Sequence, residues 1–173
     1  MQKHYTMYIT KQTIEKRVKK YEGMVEAWSS DPMLDKRAVG VGDSIYWLSI
    51  RNGLLLVITA VRVGRILSYN DFSKQYGQDL ADGWSHGKYF YVASQAATFS
   101  SNREVAPEDA RRIRFESVND RLKFNPANSD NLDPQTLRTS RVLTPDSALI
   151  LDSYINSYIQ VSSNEIAMYR KFL

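Results

Sequence analysis

Hydrophobic residues crowd into one stretch of this chain, from Gly42 to Arg65, where two runs rich in Ile, Leu, Val, Tyr and Trp are interrupted by Arg51-Asn52-Gly53. Asn-Gly between two apolar runs is the strongest short-range signal for a tight β-hairpin, because its residues tolerate the positive φ angles such a turn needs. The pattern therefore predicts a central hairpin. Its return run is apolar on both alternations from Leu54 to Val61, which suits a strand buried on both faces or one curled into a small closed barrel.

The flanks are less regular. Tyr5 to Ile9 alternates and reads as a first strand. From Thr13, the apolar residues Ile14, Val18 and Tyr21 recur at helical spacing, with Gly23 as a stop. Ser30 or Asp31 can cap a short helix that has Pro32 at its first position, which leaves Trp28 at the mouth of a loop. Leu67 to Gly87 is polar and dotted with glycine, and reads as a long loop carrying Tyr69, Phe72, Tyr76 and Trp84. Tyr89 to Ala93 reads as a strand, Pro107 to Arg111 as one helical turn, and Ile113 to Glu116 as a short strand. An Asn-, Asp- and Pro-rich loop runs from there to Gln135. Thr144 followed by Pro145 opens a helix to about Tyr158, with Leu151, Tyr154, Ile155 and Tyr158 as its apolar stripe. A last helix is expected from Ser163, and the apolar Phe172-Leu173 suggests continuation into a further domain.

Composition narrows the class. At 173 residues and 43% hydrophobic, the chain suffices for one domain with a real core, expected over 1–160, plus a helical extension over 161–173. The absence of cysteine removes disulfides, cysteine zinc sites and thiol nucleophiles. No stretch resembles a signal peptide or approaches the roughly 20 apolar residues of a membrane span, so a cytoplasmic protein without membrane partners is expected. Of the net charge of +4, residues 1–23 supply all: Lys3, Lys11, Lys16, Arg17, Lys19 and Lys20 stand against Glu15 and Glu22. A concentrated basic face is the footprint of a nucleic-acid binder, although a solvated helix face has the same composition.

Several enzyme classes are closed. Gly83-Trp84-Ser85-His86-Gly87-Lys88 is one residue too short for a phosphate-binding loop, and Tyr89 stands where Ser or Thr would hold magnesium. Gly40-Val41-Gly42 precedes a strand and has Ile45 at the third glycine position, so it is no dinucleotide fingerprint. None of the ten lysines has an acidic residue two positions before it, as a metal-dependent nuclease would want. His4 and His86 lack a nucleophile or ligand partner by spacing. No catalytic residue, metal or cofactor is expected.

Aromatic residues remain. Trp28 and Trp84 both lie in stretches that read as loops, while Trp47 sits in the hairpin and reads as core. Aromatic faces in a basic setting can hold an unstacked base, each stacked ring contributing about 1–3 kcal/mol. Two rings filling the core beneath long loops would look the same in the sequence.

The order of short motifs is itself informative. A strand, a basic helix, Trp28-Ser29-Ser30, a strand ending Leu48-Ser49-Ile50-Arg51-Asn52, Trp84 followed closely by Gly87-Lys88-Tyr89-Phe90-Tyr91-Val92, and Ser140-Arg141 before a C-terminal helix together resemble the YTH family of N6-methyladenine readers. The frame is also similar to the related EVE domains of the PUA-like superfamily, common in bacterial restriction systems, in which Gly42-Asp43 and Leu143-Thr144-Pro145 match familiar turns. The resemblance covers roughly residues 5–158. It implies that Trp28 and Trp84 are cage tryptophans, that Ser29 lies beside the base and that Arg141 contacts the nucleic-acid backbone. The family's further aromatic or Leu has no clear match, with Tyr76 or Leu80 as substitutes, and its Lys-Ser after the first strand is Thr10-Lys11.

The expectation is therefore an α+β, PUA-like fold: a small curved sheet or barrel between a basic N-terminal helix and a C-terminal helix. Its expected partner is DNA or RNA carrying a modified base, N6-methyladenine first and modified cytosine second, flipped into an aromatic cage. Trp28, Ser29, Trp84, Ser49, Tyr76 and Leu80 are the base-site candidates. Lys11, Lys16, Arg17, Lys19, Lys20, Lys36, Arg37, Arg51, Lys88 and Arg141 are the backbone candidates. A nuclease or NTPase effector, on the same chain or in trans, would do the cutting. An RNA-binding module indifferent to modification and a protein-interaction domain are the alternatives.

Overall fold

A computed structural model of the chain describes residues 2–20, 23–25, 28–84, 86–95, 97–100, 102–117 and 120–155, without the side chains of 17–20, 23–25, 28, 29, 84 and 98. In chain order its elements are β1 (His4–Tyr8), α1 (Lys11–Lys20), β2 (Gly23–Val25), β3 (Trp28–Ser29), α2 (Pro32–Asp35), β4 (Ser44–Arg51), β5 (Leu54–Ser68), α3 (Tyr69–Tyr76), α4 (Gln78–Trp84), β6 (Tyr89–Ala93), β7 (Ala97–Phe99), α5 (Pro107–Arg112), β8 (Phe124–Asn125), β9 (Asn128–Leu132) and β10 (Val142–Leu143), followed by α6, helical over 145–155. This is an α+β protein. No helix among the described residues is long and apolar enough to cross a membrane.

The hairpin is the predicted one. Asn52 and Gly53 turn at φ 53° and 79°, the doubly positive conformation that matches the twist of the flanking strands. Gly53 is required twice over, because a Cβ there would stand 2.5 Å from the Asn131 side chain.

Why β5 is apolar on both alternations follows from its two neighbours. Leu55 and Val57 face a core with Tyr46, Leu48, Ile113, Phe115, Leu143 and Leu151. Leu56 and Ile58 face a second core with Tyr5, Ile14, Leu34, Ile45, Trp47 and Tyr91. The parity then changes, and Val61 and Val63 join that second core. A β-bulge is the cause: Trp47 pairs with Thr59 but Leu48 with Val57, leaving Ile58 extra. Its displaced carbonyl accepts the Ser100 amide and the guanidinium of Arg103, each at 3.0 Å, and Arg103 is buried for that purpose.

Six strands form one sheet in the order β10-β1-β4-β5-β6-β3, with β1 and β4 parallel and the remaining pairs antiparallel. Among the described residues no pairing between β3 and β10 closes the expected barrel: β3 ends the sheet on one side, and on the other the 114–116 segment bonds to β10. Short side-chain bonds around α2 reach instead from β6 to the segment before β10. Asp31 caps α2, accepting the Met33 amide at 2.7 Å, and Pro32 occupies its first turn as predicted. Leu34 is fully buried beneath it. Asp35 reaches β6 through Lys88 and Tyr91, while Arg37 donates to the Ser140 carbonyl at 2.7 Å beside β10 and accepts from Tyr5 of β1 on its own carbonyl.

Two predicted loops are structured. Within 67–87, β5 continues to Ser68, whose hydroxyl caps α3 at Asp71, and Gly77 at φ 97° separates α3 from α4. Phe72 drives the arrangement, fully buried with its ring stacked 3.9 Å from that of Phe90. The Asn- and Asp-rich stretch forms β8 and β9 and then a 3-10 turn over Pro134–Leu137, capped by Asp133. The expected strand at 113–116 is reduced to single bridges of Arg114 to Arg121 and Phe115 to Leu143. Thr144 opens α6 as predicted, and Leu151 and Ile155 are buried along its stripe. Tyr158, the helix expected from Ser163 and the extension over 161–173 lie outside the described residues.

Candidate nucleic-acid interface

Trp28 lies in a strand rather than at a loop mouth: it pairs with Val92 and Ser29 with Tyr91, at the β3 edge of the sheet. Trp84 is the last residue of α4 rather than part of a loop. The side chains of Trp28, Ser29 and Trp84 lie outside the described residues. Their chain neighbours, however, are tied together. The Ser30 hydroxyl, two residues after Trp28, accepts the Gly87 amide at 2.8 Å, three residues after Trp84. Asp35 accepts the Lys88 amide on one carboxylate oxygen and the Tyr91 hydroxyl, at 3.0 Å, on the other.

Glycine at 87 is a steric requirement of that junction. A Cβ would sit 2.8 Å from the backbone carbon and nitrogen of Asp31, atoms that cannot swing aside. Burial, and then the Asp35 carboxylate, push the Tyr91 hydroxyl well above its ordinary value, so Tyr91 keeps the proton it donates.

Tyr76 and Leu80 are half-buried against Phe72, Ala81, Phe90 and Val92. Val92 is the strand partner of Trp28, so these two candidates share a cluster with the β6 residue that pairs with Trp28. Tyr76 stacks on Phe72 at 4.5 Å, and its hydroxyl accepts from Arg65 at 2.9 Å. Ser49 is placed elsewhere: it is buried on β4 and donates to the Ile9 carbonyl at 2.8 Å. Arg51, at the hairpin end, pairs with Glu104 at 2.8 Å.

The cationic candidates divide by surroundings. Lys36 and Lys88 are exposed, the latter with its ammonium 5.1 Å from the Tyr89 ring centroid. On α1, Lys11 pairs with Glu15 at 3.8 Å and Lys16 is exposed, while Ile14 anchors the helix in the core. The side chains of Arg17, Lys19 and Lys20 lie outside the described residues. Arg141 is half-buried, its guanidinium 3.5 Å from the Phe115 ring centroid and one nitrogen donating to the Arg121 carbonyl at 3.3 Å. Burial lowers its pKa, and Asp120 opposes that shift.

Ser30, Asp35, Gly87 and Tyr91 are the residues that sequence reasoning missed as site-builders. The only local signal is a glycine in a polar turn before a strand, because the partners of Asp35 lie more than fifty residues away. Among the described residues, no group of His, Asp or Glu is placed to hold a metal ion.

No family model and no curated protein matches the chain. Among solved structures, it is similar to the YTH domain of the Zygosaccharomyces rouxii MRB1 protein, whose structure contains N6-methyladenosine RNA. The identity is 12%, the TM-score 0.41, and the match covers 88% of this chain and 84% of that one.

Proposed function

We propose that this chain is a non-catalytic nucleic-acid-binding module of PUA-like type that accepts a modified base, N6-methyladenine first and modified cytosine second, between Trp28 and Trp84. The observation that carries the reading is the junction of the two tryptophan-bearing segments through Ser30, Gly87, Asp35 and Lys88. Two rings supplied from separate segments need such a fixed junction, since a base stacked on both faces gains about 1–3 kcal/mol per ring only if the gap is held. A methyl group buried there adds roughly 0.8 kcal/mol. Lys36, Lys88 and the cations of α1 supply phosphate contacts. A cutting effector acts from the same polypeptide or in trans, as in a modification-dependent restriction system.

Binding of matched methylated and unmethylated oligonucleotides, as single-stranded RNA and DNA, tests this. The methylated strand is expected to bind about fourfold more tightly if its methyl is fully buried. Trp28→Ala and Trp84→Ala are each expected to weaken binding by about 5- to 150-fold. Equal affinities for the two strands would leave an RNA- or DNA-binding module without modification specificity, and full binding by both variants would remove the cage.

A further inference from the structure

The helices that lead to Trp84 are a poor path for a phosphate chain: Asp71, Asp79 and Asp82 are exposed on α3 and α4 against the single cation Lys74. Across α2 the sign reverses. Lys36 and Arg37 are exposed, and Arg37 donates to the Ser140 carbonyl next to Arg141. Arg141 donates to the Arg121 carbonyl, and Arg121 is the cross-strand partner of Arg114. The Ser140 and Arg121 carbonyls and the Arg114–Arg121 bridge thus place four arginines in one row, from the segment after α2 to the bridge beside β10.

One part of this arrangement works against the free fold. Arg114 and Arg121 oppose each other across an antiparallel bridge, a placement that costs stability for like charges. Among the described residues, the one ion pair on this track is a loose contact of Arg121 with Asp120 at 3.6 Å, while Arg114 donates to the carbonyls of Arg111 and Ile113. An anion bound beside this bridge offsets the repulsion between the two like charges. Stacking on Phe115 holds Arg141 in place before any ligand arrives.

We infer that Arg37, Arg141, Arg121 and Arg114 form a phosphate-tracking surface that leads a single nucleic-acid strand away from the base site across α2, on the side opposite α3 and α4. That direction rests on the proposed base site, whereas the contact with the phosphodiester chain does not. Arg114 and Arg121 are the new members. They fall in stretches that read as a short strand and a loop, far in sequence from the basic N-terminus.

The test is the salt dependence of binding to a single-stranded 12-mer, methylated and unmethylated, for the wild type, Arg121→Gln, Arg114→Gln/Arg121→Gln and Lys74→Gln. Each arginine removed is expected to lower the slope of log K against log salt by about 0.7, with the preference for the methylated strand unchanged. Lys74→Gln should match the wild type. Arg121→Gln should keep or raise the melting temperature, because it relieves a like-charge pair at an exposed side chain, and this separates a binding role from a structural one. An unchanged slope in both arginine variants overturns the inference, as does an equal drop for Lys74→Gln or a wild type that does not bind the 12-mer at low salt. A lowered slope without methyl preference sustains the track and removes the reader; an unchanged slope with intact preference does the reverse.

Discussion

Asp35 holds the Tyr91 hydroxyl at 3.0 Å and takes the Lys88 amide with its second oxygen. One carboxylate therefore fixes both a side chain of β6 and the backbone that leads into it. Asp35→Ala is expected to cost about 1–3 kcal/mol, and Tyr91→Phe about 1 kcal/mol. Because the two share a partner, the double variant should cost less than the sum. Urea denaturation of the four proteins checks this, and simple additivity would show that the pair is not coupled.

Gly87 and Gly83 make a matched comparison. Alanine at 87 would put its Cβ 2.8 Å from the Asp31 backbone, whereas nothing lies within 4 Å of a Cβ at 83, inside α4. Gly87→Ala should destabilise by about 1–3 kcal/mol. Gly83→Ala, in the last turn of α4, should leave stability unchanged or raise it by up to about 0.5 kcal/mol. Thermal melts of the two variants decide, and similar shifts would contradict the close approach.

Tyr46 is buried, and its hydroxyl donates to Asp152 of α6 at 2.9 Å. Burial first, and Asp152 second, push its pKa far above the ordinary 10. The folded chain therefore keeps a proton that the unfolded chain loses, so stability is flat below about pH 10 and falls above it by about 1.4 kcal/mol per pH unit for this tyrosine. Tyr46→Phe is expected to lower stability at pH 8 by about 1 kcal/mol and to flatten the alkaline decline. Denaturation at pH 8 and pH 11 measures both, and an unchanged decline would show that Tyr46 ionises freely in the fold.

What could be read from the chain alone was whatever depends on neighbours in sequence. The Asn52-Gly53 turn, the Asp31-Pro32 start of α2 and the Thr144-Pro145 start of α6 are local chemistry, and each stands where the pattern puts it. The apolar β5 revealed its double burial, but not the bulge at Ile58 that reverses its parity, since Arg103 supports that bulge from 45 residues away. Short helices were lost among polar residues. Tyr69, Phe72 and Tyr76 have helical spacing and Ser68 is a good cap, yet α3 and α4 are eight and seven residues long, too short to outweigh Gly77 between them and Gly83 within α4 in a pattern. Strands β8 and β9 carry Asn, Asp and Ser where strands ordinarily carry branched residues, so only their packing reveals them. For the site, the residue types at 28 and 84 were legible, whereas the junction that joins their segments is made of long-range bonds with no sequence signature.

A sheet that closes on itself can widen only by adding or sliding a strand, in steps of about 4.8 Å. Here Asp35, the last residue of α2, is tied to Lys88 and Tyr91, and Arg37, two residues past the helix, to Ser140 beside β10. Single substitutions around α2 can therefore reset the spacing beside Trp28 by fractions of an ångström while every ladder hydrogen bond stays in register.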